Sequence, residues 1–276
     1  MYHRPHKSAL ALVTIGLVQS VARAEPPRDS PDDQEPSATH EEVDLASDVI
    51  DPTASLLQMT LMYEWTIDHH APEEAGLPED DAHTLVLRPV IPFRAFGLEQ
   101  IFRLTVPYAL DSAHDVKGLD AVEAFDLVVF EQSWGRWGLG TVARLEPEGA
   151  LAEETEEEDP FQLGPALGVM ASEGPWTFGA FNQNLFSGDV QVSYLQPIIG
   201  YGISPVLSVS NGEMQIAWDW SGGEFESIPI GVQVNWVAFP LSQPIRLFAN
   251  PELNLLDEAG SERWSVTFGL AVLASR

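Results

Sequence analysis

Leu57-Gln58-Met59-Thr60-Leu61-Met62-Tyr63-Glu64-Trp65 is the stretch whose reading decides the fold. Every odd position is apolar. A period of two belongs to a strand, whose successive side chains point to opposite faces. The same alternation returns in Ile228-Pro229-Ile230-Gly231-Val232-Gln233-Val234-Asn235-Trp236, now on the even positions. Trp264, Val266, Phe268, Leu270 and Val272 alternate with Arg263, Ser265, Thr267, Gly269 and Ala271. Phe102, Leu104, Val106 and Tyr108 alternate with Ile101, Arg103, Thr105 and Pro107. From Thr53 onward no long helical stripe occurs, and 190–203 changes phase near Tyr194-Leu195.

Working outward, the segments with this pattern are 54–67, 83–94, 99–110, 119–132, 137–147, 161–171, 176–186, 190–203, 206–220, 225–237, 245–256 and 262–274. Each has about 11–15 residues, against about 5–6 in a usual soluble strand and about 9–11 in a tilted membrane strand. The expected fold is therefore all-β: an antiparallel transmembrane β-barrel of about 12 strands, with 10–14 as the range. Short connections (95–98, 133–136, 172–175, 204–205 and 238–244) alternate with a second set that includes the three longest, 68–82, 111–118 and 148–160. Outer-membrane barrels show this asymmetry, with short turns in the periplasm and longer loops outside the cell. The eight Trp residues form two groups. Trp65, Trp218, Trp220 and Trp264 fall near the expected outer ends, and Trp134, Trp137, Trp176 and Trp236 near the inner ends. Two aromatic girdles at the two water interfaces are expected of such a barrel, with outer-membrane lipid as its surroundings.

The rest of the sequence fits a secreted chain. Arg4 and Lys7 precede the apolar run 8–21, and Ala22-Arg23-Ala24 is a cleavage site, so 1–24 read as a signal peptide. Residues 25–52 read as a disordered acidic tail in the periplasm, and 53–276 as the barrel of a Gram-negative-type outer membrane. The net charge is −29, with 13 Lys+Arg against 42 Asp+Glu. That balance excludes nucleic acid as a partner. The chain has no Cys, which excludes disulfides, thiol chemistry and Cys-zinc sites.

Pro89, Pro92, Pro107, Pro165, Pro197, Pro229 and Pro251 fall inside the expected strands. Proline cannot donate to a ladder, and a closed barrel has no edge to hold it, so bulges, bends or rim positions are expected there. These prolines belong to strings: Asp51-Pro52-Thr53-Ala54, Leu87-Arg88-Pro89-Val90-Ile91-Pro92-Phe93, Val106-Pro107-Tyr108, Gly118-Leu119-Asp120 and Gly164-Pro165. Gly174-Pro175-Trp176, Asn182-Gln183-Asn184, Leu195-Gln196-Pro197 and Ile228-Pro229-Ile230-Gly231 continue them. In this order, over roughly 51–274, they resemble the outer-membrane family named after the meta-pathway of phenol degradation. The resemblance implies an outer-membrane barrel and passage of small molecules, aromatic or apolar compounds included. It implies no catalytic residues. The chain departs from the pattern in its very acidic connections. It also departs in its end, Ala274-Ser275-Arg276, where many outer-membrane proteins carry an aromatic residue and the nearest here is Phe268.

In a barrel the polar phase is expected to face the lumen. Arg88 and Arg103 then point inward from neighbouring strands. With Arg144, Arg246 and Arg263 they face Glu64, Glu123, Asp126 and Glu252. Two readings follow: a constriction that selects polar or anionic solutes, or a paired network that plugs a narrow lumen. Function divides the same way, into passive passage of an unidentified small solute and a non-conducting barrel presenting acidic loops. The anionic run 153–159 is a solvated loop with, at most, weak divalent-cation binding. His40 among acidic residues, and Asp68-His69-His70, lack the spacing of a metal site, so no metal or other cofactor is expected. Nor is an enzyme expected: His69, His70, His83 and His114 belong to no recognisable nucleophile–base pair, and no Gly-x-Ser-x-Gly elbow occurs.

Overall fold

A computed structural model describes residues 49–71, 81–111, 117–146, 161–188, 190–240, 243–257 and 261–274. The expected signal peptide, the tail up to residue 48 with His40, His114 and the run 153–159 lie outside the described residues.

Twelve antiparallel passes close into a barrel. They are β1 (Leu57–His69), β2 (Ala82–Ala95), β3 (Leu98–Asp111), β4 (Val122–Gln132), β5 (Gly135–Leu145) and β6 (Phe161–Glu173). Then follow β7 (Trp176–Ser187), β8 (Val190–Ser204), the interrupted β9 (Leu207–Ser210 and Ile216–Asp219) and the interrupted β10 (Glu224–Ser227, Pro229–Gly231 and Gln233–Ala238). The last two are β11 (Ile245–Asn254) and β12 (Glu262–Ala274). Each pass pairs with the next, and β12 returns to β1 in register from Leu57↔Ala274 through Thr66↔Ser265. Closure pairs the first and last passes with each other, where an open sheet would leave two edges that a bilayer could not satisfy.

The alternation works in the sense opposite to a soluble sheet. On β1, Leu57, Met59 and Leu61 are 42%, 48% and 51% exposed, while Thr60, Met62 and Thr66 are buried. Exposed apolar side chains recur around the ring: Leu87 and Ile91, Leu139, Leu163 and Leu167, Ile199, Val232 and Val234, Leu270 and Val272. A contiguous apolar exterior of this extent is stable only against lipid. Trp65, Trp137, Trp218 and Trp264 lie on the outward phase of their strands, and Trp134, Trp176, Trp220 and Trp236 are exposed. Phe130 stacks on Trp137 at 4.3 Å between ring centroids, and Trp218 meets Phe225 edge-on at 4.6 Å.

Four expectations are corrected. The inward phase is not uniformly polar. Ile101, Phe125, Leu127, Val142, Phe181 and Leu185 are buried together inside β3–β8 and fill that side of the lumen. Those strands carry apolar residues on both faces, so alternation alone could not reveal it. Asp126 is not a lumen residue: it lies three positions from inward Glu123, hence on the other face, paired with outward Phe102 and Thr141. Segment 190–203 keeps one phase, with Val192, Gln196, Ile198 and Gly200 all buried. The phase change occurs instead in 211–215, where β9 is interrupted: Ser208 and Ser210 point inward before it, Ala217 after it. Finally, Val49, Ile50 and Asp51, read as tail, pack inside the barrel, with Val49 joining Leu56, Val237 and Leu273 in one apolar cluster.

Pro89, Pro165 and Pro197 coincide with irregularities in the ladder, whereas Pro92, Pro107 and Pro251 keep a regular register with Ile101, Val86 and Val266. The β2–β3 register skips Arg88 and Pro89, and the β6–β7 register skips Gly164 and Pro165. Pro197 lies opposite the break in β9, where Asn211 substitutes its side chain for the missing backbone. Its amide nitrogen donates to the Pro197 carbonyl at 2.6 Å, and its oxygen accepts from Ile199 N–H at 2.8 Å. In a bilayer such replacement is obligatory, because lipid offers no partner.

Candidate functional site

The site is built where the wall is irregular. Gly212 adopts φ +73, a left-handed conformation that favours glycine. It turns the chain out of the wall, so that Glu213 lies in the lumen against Arg88 of β2. Arg88 also donates to Thr105 of β3 at 3.3 Å. Arg103, two positions along β3, donates to Glu123 of β4 at 3.2 Å and lies 4.0 Å above the Phe125 ring. Arg246 of β11 donates to Asn235 at 2.9 Å and lies 4.4 Å above Phe248. Guanidinium over an aromatic face retains attraction where water is scarce.

Two cavities meet at this layer. The lower one, about 80 Å³, lies between the N-terminal segment and Arg88, Arg103 and Arg246. The upper one, about 430 Å³, opens toward the end bearing the longer connections and is lined by Glu64, Glu226, Glu252, Glu262 and Arg263. Arg88, Glu213, Gln233 and Phe248 line both, so the Arg88–Glu213 pair is the partition between them. Acidic groups predominate above it and guanidiniums below it.

The N-terminal segment closes the lower side. Asp51 pairs with Arg136 of β5 at 3.1 Å and accepts from the Thr53 N–H and hydroxyl at 2.7 and 2.6 Å. Gly168 and Gly200 make room for it: a Cβ at Gly200 would stand 2.8 Å from Ile50 Cδ1, and one at Gly168 3.3 Å from Thr53 Cγ2. Burial pushes the Asp51 carboxyl above its usual range, against the opposing pull of Thr53 and Arg136. A carboxyl with a raised value in the inserted state takes up a proton on insertion. Insertion is therefore strongest at and below the ordinary value, weakens as pH rises from there to the raised value, and stays level above it. The expected outcome is conductance that rises with pH over the range just above the ordinary carboxylate value of 3.8, and flattens in Asp51→Asn. Single-channel recording across that range checks it.

The remaining candidates are distributed around this centre. Arg144 faces inward beside Tyr194, with its Nη1 3.4 Å from the Tyr194 hydroxyl. Arg263 pairs with Asp68 at 3.3 Å at the upper mouth, apart from the inner layer. Glu64 and Glu252 line the upper cavity. His70 pairs with Asp257 at 2.8 Å, and His83 Nδ1 lies 2.9 Å from the Tyr63 hydroxyl on the outward face. Sequence reasoning missed Glu213 and Asp51. The Asn211-Gly212 pair, a turn signal inside an expected strand, was the trace that could have located Glu213. Asp51 carried no such mark.

No protein-family model and no curated protein matches the chain. Solved structures do. An outer membrane channel from Pseudomonas putida F1 superposes with a TM-score of 0.55 at 11% identity, over 81% of this chain and 99% of that one. Outer membrane phospholipase A of Escherichia coli gives 0.47 at 12% identity, over 79% and 96%. A mutant porin of Rhodopseudomonas blastica gives 0.31 at 7%, over 80% and 99%. At these identities the likeness concerns the fold. The expectation that the chain is no enzyme is corrected here: a phospholipase stands among the solved structures that match the chain.

Proposed function

We propose that this barrel resides in the outer membrane and gives passive passage to small molecules. The observation that carries the reading is the pair of cavities along the lumen axis, divided by one ion pair and closed below by one inserted segment. A barrel serving only as scaffold has no need of a divided, charged lumen. The resemblance to the meta-pathway family supports aromatic or apolar compounds as solutes, and the apolar filling beside the path suits them. The guanidinium–carboxylate layer is then the selective element: Arg88, Arg103 and Arg246 with Glu213 and Glu123 at its centre, Arg144 beside it, and Glu64, Glu252 and Arg263 above. The outward and exposed Trp residues anchor the two water interfaces, and the chain reaches its membrane by way of the signal peptide 1–24. Purified protein in planar bilayers is expected to give discrete, pH-dependent conductance. Well-folded, heat-modifiable protein that neither conducts nor lets liposomes swell in small solutes would overturn the reading.

A further inference from the structure

We infer that the lower cavity is a binding site for one small organic carboxylate, and that its occupation holds the N-terminal segment in place. The inference deepens the proposed passage and rests on it only for the consequence on conductance. Three guanidiniums line the cavity, Arg88, Arg103 and Arg246. Two carboxylates are matched to them: Glu213 to Arg88 and Glu123 to Arg103. Among the described residues no carboxylate lies within ion-pair distance of Arg246. The other acid of the lining, Asp51, is paired with Arg136, and Glu64 belongs to the upper cavity. The local surplus is therefore one positive charge, which one monovalent anion balances.

Donors are available as well as charge. Arg103 Nε is fully buried and has no hydrogen-bond partner. Among the described residues, the one hydrogen bond of Arg246 is from its Nε–H to Asn235. Arginine presents five donors in a planar fork that matches a carboxylate. A buried guanidinium that lacks an acceptor is costly, so an acceptor from outside lowers the free energy of the site. Val49, Ile50 and Ala54 of the inserted segment give the cavity an apolar wall, and Val90, Phe125 and Phe248 are apolar lining beside the guanidiniums themselves. A cavity of about 80 Å³ with one charged wall and one greasy wall takes a short carboxylate, a few carbons long. Val49, Ile50 and Ala54 come from the inserted segment. The site exists only while that segment is inserted, so whatever binds there favours the closed state by mass action.

Propionate is the probe, with propionamide as its uncharged counterpart and chloride as the competing simple anion. Saturation-transfer NMR on the full protein in detergent is expected to show saturable propionate binding and none for propionamide. Arg246→Gln is expected to weaken binding at least tenfold, the effect of one charge-assisted contact. Gln196→Glu, which adds a carboxylate to the lining, should weaken it similarly. Saturable binding that Arg246→Gln leaves unchanged overturns the site. So does amide binding equal to that of the acid, or chloride that competes as well as propionate does. If Arg246→Gln fails to fold, the amide and chloride arms on wild-type protein still decide. In bilayers, propionate is expected to lower wild-type conductance and leave that of Gln196→Glu unaffected. Propionate that binds but raises conductance overturns the link to closure. A protein that binds propionate and never conducts overturns the proposed passage and leaves the site standing.

Discussion

Replacing Asp51 by Lys should open the lumen, raising open-channel conductance by an order of magnitude or more. The present pair holds Asp51 3.1 Å from Arg136. Lysine turns that attraction into a repulsion between like charges. At about 4 Å each such interaction is worth roughly 1–4 kcal/mol between bulk water and a protein-like dielectric. The other polar contacts of Asp51 among the described residues, with the Thr53 N–H and hydroxyl, lie within the segment and shape it without tying it to the wall. Its apolar grip comes from Val49, Ala54 and Leu56. Against this stands the entropy of ordering the chain, about 1–2 kcal/mol per residue. These terms are comparable, so a change of a few kcal/mol suffices to reverse which state predominates. Asp51→Asn should do much less. Burial already opposes the charged carboxyl, so losing the charge removes a cost along with an attraction. Planar-bilayer recording of the three proteins checks the contrast. Equal conductance for all three would mean that the segment does not close the pore.

Glu213→Ala is expected to destabilise the barrel and shift its selectivity toward anions. Glu213 sits with Arg88 at the partition, in a lumen layer that also holds Arg103 and Arg246. Without it, Glu123 is the one matched carboxylate left to that layer. The Glu213 side chain is 41% exposed, so lumen water reaches the pair and moderates the penalty to about 1–3 kcal/mol, as for a charged group, here Arg88, that loses its partner. The heat-modifiable transition on gels should fall by several degrees. The selectivity effect needs no burial. Removing one negative charge from the partition changes the local energy of a permeating ion by about 1 kcal/mol even in water, roughly fivefold in permeability ratio. Reversal potentials in asymmetric salt measure it directly. Glu213→Gln should share the selectivity shift with a smaller loss of stability, because the amide still accepts from Arg88. An unchanged reversal potential in both variants would place the selective element elsewhere.

The two effects are separable because they lie on different parts of the path. Asp51 acts in the segment before β1, through Arg136; Glu213 acts where the wall breaks, through Arg88. Combining them tests independence: sites with no shared partner combine additively. Asp51→Lys with Glu213→Ala should then conduct like the first and select like the second.

Alternation by itself determined the class of this protein. Leu57, Met59 and Leu61 set against Gln58 and Thr60 define two unlike faces, and the length and number of such segments leave little besides a membrane barrel. Strand period is a local property, fixed by backbone geometry, so a linear chain displays it. It also put Arg88, Arg103 and Arg246 on the inward phase. What it could not supply was anything set by contacts between distant segments. That Asp126 faces outward follows from its distance in sequence to Glu123, yet which of the two faces inward depends on register with β3 and β5. That β4 and β6 fill the lumen with Phe125 and Met170, not water, depends on what stands across the barrel. That Asp51 meets Arg136, and Glu213 meets Arg88, joins residues separated by 85 and 125 positions. Such pairs cost loop-closure entropy that only the finished ring repays. Only the closed structure, therefore, decided which residues meet across the lumen and where the segment before β1 packs.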